Sequence, residues 1–156
     1  MKVKSLVMLT MFLILFPIGA SNVSAGSSFV IGEEKAGGYQ YTVIKEESTF
    51  IWRIGHGDNM SVIVENKENI EDLESFRTSV EAVNLGTFEV IISASYLLIV
   101  ILTTLIFFRK NKQILKSSGA IIAVFAGIAL YYTILNAIDL HTAFQDAQLF
   151  YSMLTN

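Results

Sequence analysis

The sequence contains no cysteine and only one proline. Without cysteine the chain cannot form disulfides, iron–sulfur clusters or thiolate zinc sites, and it has no cysteine nucleophile. The single proline is Pro17, so no proline interrupts a helix anywhere after it. Any exported part of this protein must therefore be held together by packing alone.

Charged residues are also scarce, at 16% of the chain, whereas apolar residues make up 53%. This balance predicts a membrane protein, because an ordinary soluble domain is less hydrophobic. The charges are unevenly placed: 11 of the 14 acidic residues lie in residues 26–87, while residues 107–116, "FFRKNKQILK", carry four basic residues and no acid. Such asymmetry indicates that the two regions lie in different compartments.

Residues 1–25 have the organisation of a secretory signal peptide. Two lysines precede an apolar run at 6–16, and small and polar residues follow it. Residues 23–25, "VSA", form an acceptable cleavage site. An uncleaved signal anchor is the alternative, but the apolar run is short of the about 20 residues that a spanning helix needs. Both interpretations place the following residues outside the cell membrane.

Two further apolar segments, 88–108 and 118–138, are each 21 residues long and contain one charged residue between them, Glu89. At 1.5 Å per residue each helix would cover about 31 Å, which matches a hydrocarbon core of about 30 Å. The sequence therefore predicts an α+β membrane protein with a two-helix transmembrane hairpin.

The segment 109–117 between these helices contains four basic residues, namely Arg109, Lys110, Lys112 and Lys116. Short loops rich in lysine and arginine stay on the cytoplasmic side of a membrane. We therefore expect a multi-pass protein of the cell membrane, with residues 26–87 and the tail 139–156 both extracytoplasmic. Specific binding of anionic lipid by the loop is a weaker alternative, since topology accounts for the charge. Nucleic acid is not expected as a partner.

Small residues recur every fourth position on the second apolar segment, at Gly119, Ala123 and Gly127. This spacing permits close approach of two membrane helices. We favour the internal contact between the two helices of the hairpin as its role, with a contact between two copies of the chain as the alternative.

Residues 26–87 predict a small antiparallel β-meander followed by one helix. The four strands are expected at 27–31, 39–45, 49–54 and 60–65, because these stretches are β-branched and aromatic and are separated by turn residues. Helical spacing of apolar residues predicts a helix over 70–84, with Asn69 as its N-cap and Gly86 ending it. The tail 139–156 has an apolar stripe and is expected to form a short amphipathic helix that either lies on the outer leaflet or packs on helix 70–84.

Alternation along the strands predicts which side chains form the core of this domain. The predicted core positions are Tyr39, Tyr41, Val43, Phe50, Trp52, Ile54, Met60, Val62 and Val64. The opposite face is expected to carry Ile44, Ile51 and Ile63, so it is partly apolar as well. A partly apolar face outside the core suggests partner binding, and these three isoleucines are the candidate binding residues.

No arrangement of residues in the sequence points to catalysis. His56 and Asp58 lie in "GHGDN", where glycine, aspartate and asparagine are also what a hairpin turn needs. No third metal ligand is suitably spaced and no phosphate-binding loop is present, so neither a metal nor a cofactor is expected.

The sequence therefore favours a small non-enzymatic membrane protein. Its acidic outer domain would bind another envelope protein or an exported peptide, in an accessory, immunity or signalling role. One alternative is an oligomeric or pore-forming helical hairpin. Another is a membrane-surface enzyme that uses His56 and Asp58.

Overall fold

A computed structural model describes residues 28–110 and 112–156. The expected signal peptide, residues 1–25, lies outside the described residues. The elements are β1 (Ser28–Ala36), β2 (Tyr39–Glu46), β3 (Thr49–His56), β4 (Asn59–Val64), α1 (Ile70–Lys110) and α2 (Lys112–Thr155).

The four strands form one antiparallel sheet in the order β1-β2-β3-β4, as predicted. Each hairpin is closed by a two-residue turn, at residues 37–38, 47–48 and 57–58. Gly37, Gly38 and Gly57 have φ of 58°, 90° and 60°, and Glu47 has φ of 50°. Positive φ is what two-residue hairpins require, because their turns must match the right-handed twist of the strands.

Strand β1 is longer than expected, reaching Ala36 instead of residue 31. The additional residues include three charged ones, at 33–35, and the strand ends directly before the two glycines of the turn. The register of β1 against β2 shifts between Val30 and Gly32, so Ile31 is an extra residue in the strand. Such a bulge bends the edge of a sheet locally.

Helices α1 and α2 together cover one face of the sheet and enclose the core. The fully buried large side chains are Trp52, Ile54, Leu73, Phe76, Val80 and Val83. Ala143 and Ala147 bring α2 into the same cluster, with Leu140, Phe144 and Leu154 packed against it. The tail 139–156 packs on the first helix, which is one of the two expected arrangements, and it contacts the sheet as well. It is the continuation of α2 and not a separate short helix.

The predicted face of β4 is wrong. Met60, Val62 and Val64 are 50%, 67% and 54% exposed, whereas Ile63 packs against the core. The reason is register, because the two-residue turn at 57–58 places Ile63 directly opposite the buried Trp52. Paired residues in an antiparallel sheet share a face, so a shift of one residue reverses every side chain.

The start of α1 is capped differently from the prediction. The side chain of Asn66 accepts hydrogen bonds from the backbone N–H groups of Glu68 (2.8 Å) and Asn69 (3.0 Å). Asn69 instead donates from its side-chain amide to the carbonyl of Val64, at 3.0 Å. The two asparagines thereby satisfy backbone groups at the junction of β4 and α1. The first N–H groups of a helix need such partners, because no carbonyl of the same helix precedes them.

Gly86 does not end the helix as we expected, because α1 continues without a break to Lys110. A Cβ built on Gly86 would lie 3.3 Å from Cδ1 of Leu140 and 3.4 Å from its Cα. The glycine therefore serves the close approach of α1 and α2 at this level.

Both helices contain stretches long and apolar enough to cross a membrane, by length and composition. The most apolar windows have mean hydropathies of 2.6 in α1 and 2.1 in α2, and almost none of either window is buried. A soluble core helix would be buried, so the exposed apolar surface is consistent with contact to lipid. The expected loop 109–117 falls within the ends of the two helices, apart from residue 111, which the structure does not describe.

The contact between α1 and α2 does not use the predicted stripe of small residues. A Cβ on Gly119 or Gly127 would meet no atom within 4 Å, and Ala123 is exposed. Ala129 is buried instead, at 3% exposure, and the amide of Asn136 donates to the carbonyl of Glu89 at 3.3 Å. Ala123 and Gly127 therefore lie outside the contact between the two helices, and Gly119 is half-buried without a close neighbour.

Candidate binding surface

The face of the sheet that the helices leave uncovered carries an apolar row across all four strands. Val30 pairs with Ile44, Ile44 with Ile51, and Ile51 with Val64. The two central isoleucines are half-buried by their neighbours, and the two valines are 57% and 54% exposed. Neighbouring β-branched side chains stabilise the sheet by cross-strand contact, yet here they also present a continuous apolar strip. We call these four residues the outer row.

The predicted binding residues are only partly brought together. Ile44 and Ile51 lie directly opposite one another in the outer row, but Ile63 lies on the covered face against the core. Val30 and Val64 belong to the surface and were not predicted. Pairing each strand outwards from its two-residue turn would have identified Val64 as the neighbour of Ile51.

The row beside the outer row is mixed in character. Glu33, Thr42, Arg53 and Val62 follow one another across the four strands. Glu33 on β1 and Arg53 on β3 thus border the apolar strip, whereas Val62, at 67% exposure, extends it along β4. The uncovered face is therefore most apolar along β4.

The domain as a whole is acidic. Residues 26–87 contain 11 acidic and five basic residues. Around β4 the imbalance is steeper, because residues 58–72 contain five acids and a single base, Lys67. A field of one sign over a surface favours partners of the opposite charge.

A cluster of polar side chains connects β2 to α1 on the face of the sheet that the helices cover. The Tyr41 hydroxyl donates to Oε1 of Glu81 at 2.6 Å, and Nε of Arg77 donates to the same oxygen at 2.9 Å. Burial, together with the bond to Glu81, raises the pKa of Tyr41 to about 12. The hydrogen bonds from Tyr41 and Arg77 lower the pKa of Glu81, because they stabilise its charged form. The cluster is structural, since Tyr41 is only 4% exposed.

His56 and Asp58 lie at the hairpin between β3 and β4, where His56 contacts aromatic side chains. The His56 ring is stacked on that of Tyr39 with centroids 4.3 Å apart, and it lies 5.9 Å from the ring of Tyr151. Asp58 is exposed in the turn that follows. Across residues 28–110 and 112–156, no group of three histidine, aspartate or glutamate residues is arranged to hold a metal ion.

The basic residues of the expected topology signal lie at the end of the hairpin remote from the sheet. Arg109 and Lys110 end α1, whereas Lys112 and Lys116 lie in the first turns of α2. The charges of the described chain are therefore divided between its two ends, with the acidic sheet domain at one and the basic tip at the other.

Comparisons of this chain with protein families, with curated proteins and with solved structures find no match. The described fold defines a coarse class, namely a four-stranded open antiparallel sheet packed on two long apolar helices. The outer row and the free edge of β4 are its candidate binding surface.

Proposed function

We propose that this chain is a small non-enzymatic membrane protein that presents its sheet domain outside the cell membrane to bind an envelope protein or an exported peptide. The outer row is the observation that carries the proposal. The helices occupy one face of the sheet, and the other face exposes an apolar strip, a feature that is typical of interaction sites.

The proposed topology follows from the separation of charge. Arg109, Lys110, Lys112 and Lys116 would hold the hairpin tip in the cytoplasm, while the acidic domain is exported by residues 1–25. A reporter fused at residue 111 tests this arrangement. Cytoplasmic activity supports it, and extracytoplasmic activity at that position contradicts it.

Site-specific photo-crosslinking in membranes tests the binding role. A photoreactive residue at Ile51, in the centre of the outer row, should crosslink a discrete partner. The matched control is Thr78, which is exposed on α1 and lines a shallow depression with Asp146 of α2, away from the outer row. A second experiment places the photoreactive residue at Val64 of the outer row and compares the wild-type background with the double variant Ile44→Glu, Ile51→Glu. The double variant should lose the crosslink, because two charges would then have to be desolvated at the contact.

The control for folding in this experiment is intrinsic to the chain. Trp52 is the only tryptophan and is 1% exposed, so its fluorescence reports whether the double variant keeps its core. Equal crosslinking at Ile51 and Thr78, or an unchanged crosslink in the folded double variant, would remove the outer row as a binding surface.

The orientation of the small-residue stripe favours a second candidate function, a self-associating hairpin. Ala123 and Gly127 are exposed, and a Cβ on Gly119 or Gly127 would meet no atom within 4 Å, so there is room for a helix of another copy to approach closely. Gly127→Leu should then abolish self-association in detergent while leaving the fold unchanged. A strictly monomeric wild-type protein would rule this candidate out.

A further inference from the structure

The two edge strands of the sheet differ in how well they are protected against pairing with another strand. β1 contains three consecutive charged residues, at 33–35, and a bulge next to Val30. β4 has neither charge nor bulge within Asn59–Val64, and no described residue pairs with its outer side. Natural sheets usually block exposed edges with charge, proline or a bulge. The unprotected edge of β4 therefore stands out.

The hydrogen-bonding pattern shows which backbone groups of β4 are unpaired. The N–H of Glu65 donates to the carbonyl of Phe50 at 3.0 Å, so odd-numbered residues of this strand face β3. In an antiparallel pair the alternate residues point away, which here are Met60, Val62 and Val64. The carbonyl of Val64 accepts from Asn69. Met60 and Val62 thus offer both backbone groups to a further strand.

We propose that the free edge of β4 binds an extended, basic segment of another exported protein by adding it to the sheet as a fifth strand. The inference rests on the proposed function and assigns the mode of binding and the chemistry of the partner. Backbone hydrogen bonds to Met60 and Val62 would hold the segment, and its side chains would alternate between the two faces of the sheet.

The chemistry of the partner follows from the surroundings of β4. On the uncovered face the added strand would lie beside Met60, Val62 and Val64, which favours apolar side chains at alternate positions. Asp58 and Glu65 flank the strand, and three more acids follow within residues 66–72. Basic residues at the ends of the segment would therefore be attracted to both ends of β4.

A second copy of the chain in the same membrane does not fit this edge. The hydrogen bonds between α1 and the sheet follow the strand order along the helix. The amide of Asn84 donates to Glu34 of β1 at 3.1 Å, and Glu81, one turn earlier, accepts from Tyr41 of β2. The start of α1 at residue 70 lies beside the end of β4, where Asn69 donates to the carbonyl of Val64. β1 is thus nearest the apolar half of α1, and β4 faces away from it. Two β4 edges can meet only if one copy is inverted, which would place the two hairpins in opposite membranes.

The test uses the full chain in lipid nanodiscs and a labelled peptide of about nine residues, long enough to cover the six of β4. Threonine and valine alternate in the peptide, with a lysine at each end. Fluorescence anisotropy should show saturable binding that weakens as salt is raised, since salt screens the charges. No binding up to about 1 mM peptide would overturn the proposal.

Val62→Pro is the decisive variant, because it removes an N–H that points away from β3 and adds a ring at the free edge. Proline is tolerated at such edge positions, so the core should survive, as Trp52 fluorescence will show. Binding should weaken about tenfold or more, which corresponds to a loss of the pairing at one residue. Val62→Thr keeps the backbone and the branched shape and should bind within about twofold of wild type. Equal binding by the proline and threonine variants would overturn strand addition.

Modified peptides test the same contact without changing the protein. One version carries N-methyl groups on its valines and the other on its threonines, so each loses the N–H groups of one edge. Strand addition predicts that one version fails to bind and the other binds as before. Equal effects of the two modifications would contradict pairing through a single edge.

Cysteine crosslinking distinguishes binding of a peptide at β4 from pairing of β4 with a second copy of the chain. The chain has no cysteine, so Val62→Cys introduces a unique thiol at the free edge. A monomer under oxidising conditions supports the assignment, and a disulfide-linked dimer in membranes overturns it. If Ile51 crosslinks a partner while the Val62 variants have no effect on binding, the proposed function stands and strand addition fails.

Discussion

The sharpest stability prediction compares alanine at two turn glycines, Gly37 and Gly57. Their φ angles are nearly equal, 58° and 60°, so the backbone penalty for a side chain is the same at both. That penalty is about 1 kcal/mol, because a left-handed conformation brings Cβ close to the following carbonyl. Around Gly57 a built Cβ meets no atom within 4 Å. Gly57→Ala should therefore cost about 1 kcal/mol of unfolding free energy and no more.

Gly37→Ala should cost considerably more, because the turn lies against both helices. A Cβ at Gly37 would overlap the ring of Phe144 in α2 and come within 2.9 Å of Cγ1 of Val83 in α1. Forcing a methyl group into a packed contact costs a further 1–3 kcal/mol, roughly. The total of about 2–4 kcal/mol is a large share of the stability of a small domain.

The assay is urea unfolding in micelles, followed by the fluorescence of Trp52. Its ring is 1% exposed and its indole N–H donates to Oε2 of the half-buried Glu65 at 2.8 Å, so unfolding moves the ring into water and shifts its emission. Combining Gly37→Ala with Phe144→Ala should reduce the extra cost of Gly37→Ala, because the ring that overlaps the methyl is gone and only the contact with Val83 is left. Equal losses for Gly37→Ala and Gly57→Ala in the wild-type background would refute the packing of this turn on α2.

Three further predictions concern the helix contact and the pH dependence of stability. Gly86→Val should lower the free energy of unfolding by about 1–3 kcal/mol, since the added side chain would overlap Leu140. Gly127→Val should change it by no more than about 0.5 kcal/mol, and equal effects of the two variants would contradict the direction in which each glycine faces. The folded protein favours the neutral form of Tyr41, so the contribution of Tyr41 to the free energy of unfolding is complete below pH 10 and is lost as pH rises through about 12. Urea unfolding at several pH values should show that Tyr41→Phe removes this alkaline loss of stability. The pKa of Glu81 is lowered, so its contribution is present above pH 4.5 and is lost as pH falls further; an acid limb as steep in Glu81→Gln as in wild type would contradict this.

The sheet was predictable because its signals are local. β-branched and aromatic runs separated by Gly-Gly and Gly-Asp turns define a meander without reference to the rest of the chain. The face of β4 was not predictable from alternation alone, since both of its faces carry apolar side chains. Only the pairing that runs outwards from the turn at 57–58 assigns Ile63 to the core and Val64 to the outer row.

The helices show the opposite limitation. Their apolar composition predicted two long spans, but Gly86 and the small-residue stripe each permit more than one packing. A glycine can end a helix or let two helices approach, and only the position of Leu140 decides between these roles. In the same way, Ala129, and not Gly127, lies in the contact because the relative rotation of the helices is set by the core around Ala143 and Ala147.

The candidate binding surface depends on both kinds of information. Ile44 and Ile51 were predicted because β2 and β3 alternate clearly. The predicted meander already implies that β4 is an edge strand. The difference between the two edges was not predicted, because it depends on the extension of β1 through its charged residues and on the bulge next to Val30.

The unbroken course of both helices has a mechanical consequence. Neither α1 nor α2 has a break between the part that packs on the sheet and the part apolar enough to span a membrane. From residue 88 to residue 70, α1 rises about 27 Å at 1.5 Å per residue. With the hairpin embedded as proposed, the β4 edge would be held at nearly constant height above the lipid, and a pull on it would tilt the hairpin instead of bending a linker. The chain would act as a rigid spacer, which selects partners by how far from the bilayer they present their strand.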